Sequence, residues 1–187
     1  MKFKSTFIAL SVSALLFSGM ASAAITGTSS VEMTIKTTVT SGTCTAKLVN
    51  GAGAETAEIG FGDVFKSDLV NKNRVEPLKI VFSNCSGVSK ATVAAAKGAG
   101  GKCDGSYESG QAFFGGKATG FEVWSGDVDT GLQLKCKNPP APQEITITDG
   151  AGEFPMNSRI ILGKDRTITD VALGAVSAPV TFTIAYP

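Results

Sequence analysis

Apolar residues recur at every second position in several short stretches of this chain, most cleanly in its last one. From 174 to 186 the even positions are Gly174, Val176, Ala178, Val180, Phe182, Ile184 and Tyr186, while Ser177, Pro179, Thr181 and Thr183 stand among the odd ones. Period two with β-branched and aromatic residues predicts a strand over 174–187 that buries one face. A strand this apolar needs a neighbour at each edge, and no later segment follows to supply the second. An earlier segment must do so, or another protein. Val31, Met33, Ile35 and Val39 alternate in the same way, with Thr37 in phase and Glu32, Thr34, Lys36 and Thr38 on the opposite face.

Between these two stretches the pattern breaks into short strands marked off by turns. Thr43–Val49 reads as a strand, Asn50-Gly-Ala-Gly53 as a turn, and 57–64 as an apolar run through Ile59, Phe61 and Val64. Residues 66–76 read as a solvated loop. Leu78, Ile80 and Phe82 alternate towards Cys85, Lys90–Ala96 forms another strand, and Gly98–Gly101 a flexible loop. The stretch 102–137 is the least regular, and holds Phe121–Trp124 as a strand. Asn138-Pro-Pro-Ala-Pro142 is a stiff break before Ile145 and Ile147; residues 159–162 and 167–173 supply further strand material. No useful helical period appears outside the N-terminal segment, and 22 glycines suit many turns. The expectation is an all-β antiparallel sandwich of immunoglobulin type.

The first 23 residues do not fit that pattern. Lys2 and Lys4, an apolar run from Phe7 to Phe17, and Ala21-Ser22-Ala23 predict a signal peptide cleaved between Ala23 and Ala24. Removing 23 residues from 187 leaves 164, enough for one domain with a sizeable core. Loss of two lysines turns 17 basic and 16 acidic residues into 15 and 16, a net charge of −1. That balance argues against nucleic acid or an anionic membrane as partner. Export makes disulfides the natural state of the four cysteines, for which three pairings exist.

Catalytic chemistry finds little support. With no histidine, neither Ser–His–Asp nor Cys–His arrangements can form, and zinc lacks both close thiol pairs and imidazoles. Asp129-Thr-Gly131 matches an aspartic-protease triplet without the second copy that the mechanism needs. Asp127 and Asp129 match part of a calcium loop without its closing Glu. Gly100-Gly-Lys-Cys103 departs from a phosphate loop at both ends, and Asn84-Cys-Ser86 fits a glycosylation acceptor only formally. The expectation is no enzyme, no cofactor, no metal and no small-molecule substrate. Tyr107, Phe113, Phe114 and Trp124 read as core or cover, with a ligand-lining role as the alternative.

Gly174 is fourteenth from the C-terminus and Tyr186 penultimate, both in phase on one terminal strand. With an alternating N-terminal arm ahead of Cys44, and the run Pro77-Leu-Lys-Ile-Val-Phe-Ser-Asn-Cys85, the chain resembles subunits of chaperone–usher fimbriae, the type 1-like pilins. The resemblance implies an immunoglobulin-like sandwich lacking its last strand. Residues 24–42 would then be a donor-strand arm and 43–187 the pilin domain. It implies a donor strand through Val31, Met33, Ile35, Thr37 and Val39. Gly174, Val180, Phe182, Ile184 and Tyr186 would border the acceptor groove. It implies a Cys44–Cys85 disulfide, which leaves Cys103 to pair with Cys136. The partners implied are a periplasmic chaperone, an outer-membrane usher and neighbouring subunits, and the destination a surface fimbria. Many type 1-like pilins have Gly where this chain has Thr37, which adds a branched side chain to the arm. A single-domain adhesin that binds a glycan through the aromatic segment, and a self-complemented secreted sandwich, are the alternative functions.

Overall fold

A computed structural model describes residues 36–37 and 41–187. Among these residues, nine strands form two antiparallel sheets. The larger is ordered β1 (Thr43–Asn50), β2 (Val75–Ser86), β8 (Gly152–Leu162), β5 (Thr119–Ser125) and β4 (Phe113–Gly116), with the short β6 (Leu132–Gln133) also paired to β5. The smaller is ordered β7 (Gln143–Thr146), β3 (Lys90–Lys97) and β9 (Val180–Ala185). Leu78, Ile80, Phe82, Phe154 and Met156 of the first sheet meet Ala91, Val93, Ala95 and Ile145 of the second in one buried cluster. This is the layered core that alternating strands require.

Each strand's inward face follows its sequence period. Along β2, Leu78, Ile80 and Phe82 are buried while Lys79 and Val81 are not, because successive side chains point to opposite sides. Asn50 turns the chain after β1: its Oδ1 accepts from the backbone N–H groups of Ala52 and Ala54 at 3.1 and 3.0 Å. Disulfides join Cys44 to Cys85 and Cys103 to Cys136. The second lies in the main core, with Cys103 and Cys136 buried beside Phe113 and Leu134.

Three segments differ from their sequence expectation. Lys66–Asn71, expected to be a solvated loop, is a short helix, α1, and β2 already begins at Val75. Leu69 explains it: 4% exposed, it packs with Ile160 and Val171, and this burial stabilises a helix too short to persist alone. Residues 167–173 contain a 3₁₀ turn, Ile168–Asp170, rather than a strand. Asp170 Oδ2 accepts from Thr167 N–H at 2.7 Å and from its hydroxyl at 2.8 Å, a local arrangement that competes with a ladder. The terminal strand starts at Val180, not Gly174.

Candidate functional site

β9 is hydrogen-bonded to β3 alone, and β1 to β2 with its other edge met only near its end, where Thr56 N–H donates to the Leu48 carbonyl at 3.0 Å, so each keeps an unpaired edge among the described residues. Between those edges the two sheets part to leave a cleft of about 1610 Å³. Its floor is the inner face of the large sheet: Leu78, Phe121, Val123, Ser158 and Ile160. One wall is Leu48 with the loop from Thr56 to Lys66; the other runs from Val171 to Phe182. The loop wall is held from outside by Arg74, which donates to the carbonyls of Phe61 and Asp63. Phe61 in turn packs on Phe121, ring centroids 5.4 Å apart.

The side chains facing this cleft are left unfinished. Val180 and Phe182 of β9 and Leu48 of β1 are only half-buried, and the same phase continues beyond the cleft, with Ile184, Cys44 and Ala46 half-buried while Thr183 and Ala185 are exposed. Elsewhere in the core the equivalent positions are closed: Phe82 and Val93 are 0% exposed. An apolar face with one free backbone edge is a template for another strand. Past the cleft the two edges are tied together, where Tyr186 Oη donates to the Cys44 carbonyl at 3.4 Å.

The alternation from 176 to 186 is visible as burial, with the even positions half-buried throughout, but the ladder covers only Val180–Ala185. Gly174 is exposed, with φ of +110°, and a Cβ there would run into Lys117 Nζ. This positive φ interrupts the pleat, and Pro179 has no N–H to donate. Residues 173–177 are instead held to the large sheet: Lys117 Nζ donates to the Leu173 carbonyl at 2.7 Å and Ser177 N–H to the Gly115 carbonyl at 3.1 Å. Gly174 therefore marks a crossing between sheets rather than a strand position.

Of the expected donor arm, Thr37 is described and exposed. Val31, Met33, Ile35 and Val39 lie outside the described residues, as do Ala23 and Ala24. The aromatic residues of 107–124 do not converge. Phe113 is 1% exposed in the core, Tyr107 is 101% exposed, and Trp124 is half-buried under Arg159. The carboxylate of Asp129 is taken by Arg159, through bonds of 2.6 and 2.7 Å. That guanidinium holds Asp129 below the usual carboxylate range, and Asp129 with Glu122 raises Arg159. No group of three metal-ligating side chains occurs among the described residues. None of their helices is long and apolar enough to cross a membrane.

Compared with known proteins, the chain is 35% identical over 202 residues to the uncharacterized fimbrial-like protein YadL of Escherichia coli (strain K12), spanning 100% of this chain and 99% of that protein. The chain belongs to the fimbrial subunit family. It is a component of a pilus, structural or at the tip, and not an enzyme. No family model matches. A subunit in a chaperone–usher pilus structure superposes with a TM-score of 0.55 at 18% identity, over 86% of this chain and 98% of that one, and shares the immunoglobulin-like fold. The P pilus rod subunit PapA is similar at 17% identity and a TM-score of 0.49, over 75% of this chain and 99% of that one. The fimbrial subunit thus carries its half-paired terminal strand and open cleft on an immunoglobulin-like sandwich.

Proposed function

We propose that this subunit is polymerised by strand exchange, its cleft receiving residues 24–42 of a neighbouring copy. The observation that carries the reading is the free edge of β9 above a half-buried apolar face. On this reading residues 1–23 are an export signal and 43–187 the pilin domain. A periplasmic chaperone fills the cleft first, and at the outer-membrane usher the arm of the next subunit replaces it. Backbone hydrogen bonds along β9 supply affinity, and alternate side chains entering the cleft supply register. Val31, Met33, Ile35 and Val39 would contribute about 6–12 kcal/mol gross if buried, at about 1.5–3 kcal/mol per side chain. That rivals the whole stability of an ordinary domain, about 5–15 kcal/mol.

The test replaces one inward residue of the arm and one outward residue. Ile35→Asp places a charge in an apolar cleft, where an unpaired ion is costly. Lys36→Ala alters the opposite face. Ile35→Asp is expected to abolish surface fibres while the subunit still accumulates with its chaperone, and Lys36→Ala to assemble normally. Equal assembly of the two, or a stable monomer that needs no partner, overturns the reading.

A further inference from the structure

The turn after β1 holds reactive groups that take no part in the cleft. Of the six asparagines, at 50, 71, 73, 84, 138 and 157, only Asn50 is followed by glycine. The packing leaves little room for any other residue: a Cβ on residue 51 would lie 2.6 Å from Pro77 Cγ. The same lack of a side chain leaves the Gly51 nitrogen open to the Asn50 amide. Its N–H has no hydrogen-bond partner among the described residues, and 51–55 are all exposed, so water and base reach it.

The Asn50 side chain is held with its carbonyl polarised. Oδ1 accepts from Ala52 N–H at 3.1 Å and from Ala54 N–H at 3.0 Å, while Nδ2 has no partner among the described residues. Two donors aimed at a carbonyl oxygen stabilise the negative charge that develops there when its carbon is attacked. The main chain is fixed as well: Gly53 N–H donates to the Asn50 carbonyl at 2.9 Å and Asn50 N–H to the Ala54 carbonyl at 3.0 Å. Nucleophile, electrophile and charge-stabilising donors share one turn, so a five-membered ring can close without a bimolecular encounter.

We propose that Asn50–Gly51 is a self-modification site, at which the folded subunit converts asparagine to aspartate and isoaspartate. The Gly51 nitrogen gives its proton to hydroxide or water and bonds to Asn50 Cγ. The Cγ–Nδ2 bond then breaks and ammonia leaves, its third hydrogen taken from solvent. The cyclic imide that remains takes up one water. Opening at Cγ gives aspartate; opening at the main-chain carbonyl of residue 50 gives isoaspartate, with the chain now running through Cγ. Water enters and ammonia leaves, and nothing is oxidised or reduced.

Isoaspartate adds a carbon to the backbone where the loop wall of the cleft begins. Val49 bridges to Glu55, and Thr56 N–H donates to the Leu48 carbonyl at 3.0 Å. Both pairings rest on the closure of this turn, so isoaspartate frees the first residues of the wall. Ordinary aspartate keeps an acceptor for the Ala52 and Ala54 N–H groups and leaves the wall in place.

The test warms the protein, as purified from the cell surface, at mildly alkaline pH and follows its tryptic peptides by mass spectrometry, with fragmentation that tells isoaspartate from aspartate. Asn50 is expected to convert more than about tenfold faster than any other asparagine, and at no less than about a tenth of its rate in the urea-unfolded chain. Isoaspartate should be the larger product. Asn50→Asp is the control for charge alone: amide exchange at Thr56 should quicken in isoaspartate-containing protein and stay unchanged in this variant. Faster conversion at another asparagine, aspartate as the sole product, a folded rate more than about tenfold below the unfolded one, or equal Thr56 exchange in the two proteins overturns the assignment.

Discussion

β7 and β9 are both edge strands, paired to opposite sides of β3. β7 has four residues and follows Pro139, Pro140 and Pro142; its Glu144 pairs with Lys90 of β3 at 2.7 Å. Shortness, proline and charge are the devices that discourage a second chain from adding to an edge. β9 has none of them: Val180-Thr-Phe-Thr-Ile-Ala185 is uncharged, free of proline and glycine, and longer. A protein that protects one edge of a three-stranded sheet and leaves the other bare has an edge to offer. The protected edge serves as an internal control for the bare one.

The largest effect should come from completing the bare edge permanently. Appending residues 28–40 after Pro187 through a short glycine-rich linker fills the cleft within one molecule. At about 2–4 °C per kcal/mol for a domain of this size, even part of the expected burial should raise Tm by more than ~10 °C in a calorimetric scan, and fibres should disappear. An unchanged Tm would place the complementing strand elsewhere.

Next in size is a matched pair of charge changes. Phe182→Asp puts an ion on the face of β9 that lines the cleft, whereas Glu144→Lys reverses an exposed charge on β7. The first should cost more than tenfold in fibre yield by quantitative immunoblot. The second should shift stability by less than ~1 kcal/mol, as surface ion pairs do. Similar losses from both would mean that the edges do not differ in kind.

Acid should distinguish a third region from either edge. Arg159 hydrogen-bonds Asp129 and so depresses its pKa below the unfolded value of about 3.8. A depressed carboxylate contributes stability that is fully present above its unfolded pKa and lost as pH falls through the folded one. The Asp129 contribution should therefore be constant at neutral pH and fade below about pH 4. Asp129→Asn should flatten this part of a denaturation-versus-pH curve, with Asp170 and Glu108, also depressed, carrying what is left.

The smallest effect belongs to Tyr186→Phe, which removes the bond to the Cys44 carbonyl. At 3.4 Å its loss should cost about 0.5 kcal/mol, a shift of one or two degrees in Tm. A drop in chaperone-bound yield larger than that would assign Tyr186 to partner recognition.

Where alternation coincided with tertiary burial, the sequence was a faithful guide: Leu78, Ile80 and Phe82 lie inward along β2, and 176–186 keep their phase to the last residue. It failed where burial had a non-local cause. Nothing in Lys66-Ser-Asp-Leu-Val-Asn71 foretells that Leu69 meets Ile160 and Val171 far along the chain. The 3₁₀ turn had a readable signal, a Thr167-x-x-Asp170 pair of the kind that caps helices. Gly174 misled because period two cannot report the sign of φ.

The Cys44–Cys85 bond acquires a further meaning once the arm is pulled. On the proposed strand exchange, tension entering a subunit through residues 24–42 would meet Cys44 at the start of β1 and pass directly into β2, the strand flanked by β1 and β8. The residues between them, 45–84, would be shielded from the load. Without the bond, β1 could peel away and release roughly 140 Å of slack chain, at about 3.3–3.6 Å per residue. With it, a fibre joined by the proposed strand exchange would yield at the joint between subunits while each subunit keeps its contour length.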